Sequence, residues 1–174
     1  MIVYRDDRTL ILIDGANLQP ALKSIGLHLN YQLLRDSLAD RCKLLTPRYY
    51  TALLPAQEHN PLKPLLDWLA YNGYIVVSKQ VKRFTDTAGV TTTKGNMDIE
   101  IAVDAMQLSP HYDHLILFSG DGDFTYLVRT LQQLGKRVSV VSVMNTVADE
   151  LRRQADQFVN LADLSKILDI SASA

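Results

Sequence analysis

Short apolar runs alternate with helix-period patterns along the chain. Five runs rich in β-branched or aromatic residues, each bounded by turn formers, predict strands over Thr9–Ile13, Arg48–Leu53, Tyr74–Ser78, Leu115–Phe118 and Val138–Val143. Leu10–Ile13 and Leu115–Phe118 are apolar throughout, as strands buried on both faces must be. The intervening segments predict helices. Asn60 and Pro61 can open a helix whose stripe Leu62, Leu65, Leu66, Leu69, Ala70 follows the i, i+3, i+4, i+7, i+8 rule, with Gly73 where a left-handed stop belongs. Phe124, Leu127, Val128 and Leu131 line a second helix ending at Gly135, and Asn17 with Pro20 predicts a third that stops near Gly26. Asn30, Val147 and Leu161 mark the approximate starts of three more. Phe84 to Gly95, rich in Thr and Gly, reads as one long loop. Strands alternating with helices imply an α/β fold with a mostly parallel sheet, because parallel neighbours need crossover connections.

Composition narrows the setting. The 174 residues suit one domain, 1–174, and 47% hydrophobic with 21% charged residues is a globular balance. A net charge of −1 supplies no global attraction to nucleic acid or membrane, so any such attraction must be local. One cysteine, Cys42, excludes an internal disulfide and a cysteine-rich metal site. No run is long and apolar enough to span a bilayer, and Met1 to Arg8 lacks the order of a signal peptide. The expectation is a cytoplasmic protein with no membrane partner and an open oligomeric state.

Ligands of open α/β sheets gather at the carboxyl ends of the strands. The first strand runs into Asp14-Gly15-Ala16-Asn17 and the fourth into Ser119-Gly120-Asp121-Gly122-Asp123. A helix starting near Asn96 adds Asp98 in its first turn. At 100° per residue Asp98 falls inside the arc formed by Ile99, Ile101, Ala102, Val103, Ala105 and Met106, which predicts an inward carboxylate; Glu100 and Asp104 fall on the opposite, solvated face. Gly95 to Val128 holds six acids and no Lys or Arg. Converging carboxylates about 4 Å apart repel by roughly 4 kcal/mol per pair at an effective dielectric of 20. A cation from solution is the natural counter-charge, and oxygen-only donors favour Mg²⁺ or Mn²⁺ over zinc. In a hydrolase such ions activate water and stabilise the leaving oxygen of a phosphodiester.

Each acid also has a structural reading. Asp14-Gly15 can be a turn, Asn17 a helix cap, and Asp121 or Asp123 the cap of the helix containing Phe124. His111 and His114, beside Pro110, read as surface residues, and nothing near Cys42 in sequence makes it a nucleophile. Lys79, Lys82, Arg83 and Lys94 fall within sixteen positions containing one acid and predict a basic rim for phosphate. Phe84, and less directly Tyr49 or Tyr50, can stack on an unpaired base.

The ordered motifs Ile13-Asp14-Gly15-Ala16-Asn17, Lys94-Gly95-Asn96-Met97-Asp98 with Ala102-Val103-Asp104, and Ser119-Gly120-Asp121-Gly122-Asp123-Phe124 resemble the NYN domain family, in its LabA-like branch of the PIN-like nucleases. The resemblance covers about Thr9 to Leu168. It implies a three-layer α/β/α sandwich and a divalent-metal site that hydrolyses single-stranded RNA. It assigns metal-binding and catalytic roles to Asp14, Asp98, Asp121 and Asp123, ligand or water orientation to Asn17, and a second-rank metal role to Asp104, against the direction argument above. Three functions compete: a metal-dependent endoribonuclease, a catalytically inactive RNA- or partner-binding module, and another Mg²⁺-dependent phosphotransfer enzyme. A nucleotide-binding fold is disfavoured, since neither GxxxxGK[ST] nor a GxGxxG after the first strand occurs. A phosphatase using Asp14 as nucleophile would need a second acid at position 16, where Ala16 stands.

Overall fold

A computed structural model describes residues 3–53, 61–85 and 91–168, with side chains for all of these except 82–85, 91–94 and 165–168. The chain folds as β1 (Arg8–Asp14), α1 (Gly15–Ser24), α2 (Tyr31–Ala39), β2 (Lys43–Leu44), β3 (Arg48–Leu53), α3 (Lys63–Tyr71), β4 (Ile75–Gln80), β5 (Lys82–Thr85), β6 (Thr91–Lys94), α4 (Asp98–Gln107), β7 (His114–Phe118), α5 (Thr125–Gln133), β8 (Arg137–Ser142), α6 (Asp149–Gln154), β9 (Gln157–Asn160) and α7 (Leu161–Leu168).

The main sheet is parallel at every pairing, in the order β4-β3-β1-β7-β8-β9, with β2 pairing β1 ahead of β3. Strand period sorts the core into two layers. Ile11, Ile13, Tyr49, Ile116, Phe118 and Val141 pack with Leu18, Leu34, Leu69 and Leu164, beneath α1, α2, α3 and α7. Their neighbours Leu10, Leu12, Tyr50, Leu115, Leu117 and Val140 pack with Ile101, Leu127, Val128 and Leu151, beneath α4, α5 and α6. The result is the expected α/β/α sandwich.

The five predicted strands are present, shifted by at most two residues at an end. Gly73 and Gly135 hold φ of +81° and +74° and stop α3 and α5 as expected. Several expectations are corrected. β2 and β9 are too short to stand out in sequence. The segment from Phe84 to Gly95 is not one long loop: β5 and β6 pair antiparallel from Lys82↔Lys94 to Thr85↔Thr91. The β-branched threonines that suggested a polar loop suit a strand equally well. Residues 86–90 lie outside the described residues, as does Asn60, and α3 begins at Lys63 with Ala70 exposed. Asn17 is not the cap of α1; Asp14 is. His114 is buried completely, because its strand is central.

The orientation of α4 is also corrected. Ile101 and Ala105 are buried, whereas Ile99, Val103 and Met106 are exposed. Apolar residues cover more of this helix than the sheet can, so the mean direction of the arc does not mark the buried face. Glu100 and Asp104 instead lean toward the sheet edge formed by β3 and β4, where basic side chains meet them.

Candidate metal centre

The sheet order makes β1 and β7 neighbours whose following helices, α1 and α5, cover opposite faces. That is a topological switch point, and the crevice outside the carboxyl ends of the two strands lies there. Both acidic segments open into it.

Asp14 ends β1 and is 3% exposed. Its Oδ1 accepts the Asn17 backbone N–H at 3.2 Å, and its Oδ2 accepts the Ser119 hydroxyl at 3.0 Å. Burial pushes its pKa up, with a smaller push from Asp121, and the bonds from Ser119 and Asn17 pull it back. Asn17 turns its side-chain oxygen to the Gly120 N–H at 2.8 Å, tying the start of α1 to the loop after β7. The Asp121 N–H donates to Ser119 Oγ at 3.2 Å, and Asp121 Oδ1 accepts the Asp123 N–H at 3.0 Å. Close packing leaves no room for a side chain at two glycines here. A Cβ on Gly15 would stand 2.5 Å from the Tyr49 ring, and one on Gly120 would stand 2.6 Å from Ser142 Oγ.

Asp98 enters from the first turn of α4. Asn96 Nδ2 donates to its Oδ2 at 2.5 Å. One oxygen each from Asp98, Asp121 and Asp123 lie within 4.8 Å of one another. The Asp98 pKa is pushed up to about 6, first by burial and then by the charges of Asp121, Asp14 and Asp123, with Lys79 opposing weakly. The acids therefore crowd one another, as carboxylates arranged for a cation do. The donor set is all oxygen and suits a hard divalent ion.

The other three acids of the Lys- and Arg-free window find counter-charges from distant strands. Glu100 pairs with Lys79 at 2.8 Å, Asp104 with Arg48 at 2.6 Å, and Asp113 with Arg8 at 2.7 Å. Asp104 also accepts the Tyr50 hydroxyl at 2.6 Å. Among the described residues, Asp98, Asp121 and Asp123 have no such ion pair. Local sequence does not reveal this division, because the partners come from positions 8, 48 and 79.

Of the residues expected to face substrate, Lys79 is engaged with Glu100. The backbones of Lys82, Arg83, Phe84 and Lys94 form the β5–β6 hairpin, and their side chains lie outside the described residues. Tyr49 and Tyr50 are fully buried, so neither can stack on a base. Ser119 carried no role in the sequence reading, although it is the polar residue that continues a wholly buried strand.

A family model of the NYN domain matches residues 8–164. The chain belongs to the NYN domain family. That family has a PIN-like, nuclease-type fold, in keeping with the sheet and the acidic crevice. The NYN chain is 30% identical over 172 residues to the Low amplitude and bright protein LabA of Synechococcus elongatus, covering 97% of this chain and 91% of LabA. It is also similar to the crystal structure of a Vibrio parahaemolyticus protein of unknown function. There the TM-score is 0.76 at 26% identity, over 92% of this chain and 96% of the other. No helix among the described residues is long and apolar enough to cross a membrane.

Proposed function

We propose that this NYN protein is a divalent-metal-dependent endoribonuclease acting on single-stranded RNA at the crevice between β1 and β7. The observation that supports it best is the division of the acids. Glu100, Asp104 and Asp113 take basic partners, while Asp98, Asp121 and Asp123 converge on one point with Asp14 behind them. A carboxylate group kept at that electrostatic cost is arranged for a cation.

Asp98, Asp121 and Asp123 would hold Mg²⁺ or Mn²⁺, with Asp14 adding negative charge from the floor of the crevice. The ion supplies charge neutralisation at the scissile phosphate and activation of water. The chain's own residues do the positioning. Ser119 orients Asp14 and receives the Asp121 N–H, while Asn17 locks the two loops together through Gly120. Lys82, Arg83 and Lys94, on the hairpin leading to Asp98, would supply phosphate contacts.

The test is incubation of purified protein and an Asp121→Asn variant with unstructured RNA and Mg²⁺ or Mn²⁺. The expected result is metal-dependent internal cleavage that the variant loses. Equal cleavage by both proteins would assign the activity to a contaminant. Metal and RNA binding without cleavage would favour an inactive RNA-binding module, and turnover of a generic phosphate ester with intact RNA would favour a phosphotransfer enzyme.

A further inference from the structure

The outward faces of α4 and α5 carry apolar side chains that the core does not use. Ile99 is 71% exposed, Val103 47% and Met106 38%, and their i, i+4, i+7 spacing makes one stripe along α4. On the first turn of α5, Tyr126 is 76% exposed. Tyr126 follows Asp123 at i+3 on continuous helical backbone, which puts the two on the same flank about one turn apart. Ile99 directly follows Asp98. Because carboxyl oxygens of Asp98 and Asp123 lie within 4.8 Å of each other, the stripe and the ring both border the acidic cluster.

Charge decides what can lie there. From Gly95 to Val128 there is no Lys or Arg. The next cation, Arg129, turns to Gln154 of α6 at 3.5 Å. The cations that reach α4 from other strands, Lys79 and Arg48, are engaged by Glu100 and Asp104. Among the described side chains a phosphate backbone therefore meets the neighbouring acids without a free counter-charge, whereas unpaired bases offer a π face to an aromatic ring and apolar edges to Ile and Val. We propose that this surface takes the nucleobases flanking the scissile phosphate, with Tyr126 as their stacking platform and the backbone turned away; this rests on the nuclease reading above.

The experiment uses the full chain and an unstructured RNA carrying 2-aminopurine, with Ca²⁺ in place of Mg²⁺, and compares Tyr126→Ala and Tyr126→Phe with the parent protein. The alanine variant should bind about tenfold more weakly and lose the change in 2-aminopurine fluorescence, while the phenylalanine variant keeps both. The Mn²⁺-induced rise in melting temperature should be equal in all three. Unchanged affinity and fluorescence in Tyr126→Ala, with metal-dependent cleavage intact, would overturn the base platform and leave the nuclease standing. Failure of the parent protein to bind RNA, while Mn²⁺ still raises its melting temperature, would overturn both. A parent dimer that Val103→Glu converts to a monomer, with RNA affinity unchanged, would instead assign the surface to self-association and overturn the proposal.

Discussion

Ser119 joins the two halves of the crevice: its hydroxyl donates to Asp14 Oδ2 at 3.0 Å across the β1–β7 boundary. The same oxygen accepts the Asp121 N–H at 3.2 Å, so one side chain sets the relative position of two carboxylates. The bond from Ser119 favours the ionised form of Asp14, against a burial that disfavours it. Ser119→Ala removes that support. The Asp14 pKa should rise further, and metal-dependent cleavage should need a higher pH to reach its plateau. A pH–rate profile unchanged in position would show that Ser119 only fills space.

Asp98 makes the metal-free protein sensitive to pH in a direction opposite to a salt-bridged acid. Its folded pKa of about 6 lies above the ordinary aspartate value of 3.8, so the fold prefers the protonated form. That contribution is complete below about pH 4 and is lost as pH rises through 6. Asp98→Asn should therefore raise the melting temperature of metal-free protein at pH 7 by roughly 2–4 °C and have no such effect near pH 4. The same variant should lose most of the Mn²⁺-induced stabilisation. A fall in melting temperature at pH 7 would show that the carboxylate is held by the fold rather than crowded by its neighbours.

The sheet and the convergence of its acidic turns were legible in the sequence because Leu10–Ile13 and Leu115–Phe118 are apolar throughout and each run leads into an Asp-containing turn. Helix direction was less legible. Ile99, Val103 and Met106 look like core from their spacing, yet the sheet leaves them in solvent. Asp104 looked solvated, and its partners Arg48 and Tyr50 are over fifty positions away. Pairings of that range depend on strand order, which no local pattern encodes. The β5–β6 hairpin was missed for another reason: threonine-rich sequence suits a loop and a twisted strand alike.

His114, read from sequence as a surface residue, opposes Asp98 over the same pH range. Its Nε2 lies 2.8 Å from Ser139 Oγ, and its Nδ1 is buried without a hydrogen-bond partner. Burial, aided by Arg137 and resisted by Asp7 and Asp156, brings its pKa down to about 4 from 6.5. Its stabilising contribution is therefore present above pH 6.5 and lost as pH falls toward 4, by up to about 3 kcal/mol. In the parent protein the gain from protonating Asp98 offsets part of this loss. Removing that gain with Asp98→Asn should make the melting temperature fall more steeply between pH 6.5 and 4.5. Parallel curves for the two proteins would refute the opposition.

Asp104 separates the ion-paired acids from those of the converging cluster. Arg48 and Tyr50 both donate to its Oδ2, and the Asp104 and Arg48 side chains are each only 21% exposed. Asp104→Asn leaves a half-buried guanidinium without its counter-charge, which should cost about 1–3 kcal/mol. The Mn²⁺-induced change in melting temperature should nevertheless match that of the parent, because Asp104 stands outside the group formed by Asp98, Asp121 and Asp123. Tyr50→Phe, which removes one donor and keeps the ion pair, should cost less and also leave the metal response intact. Loss of the Mn²⁺ response in Asp104→Asn with little change in the metal-free melting temperature would make Asp104 a ligand and Arg48 its occasional partner.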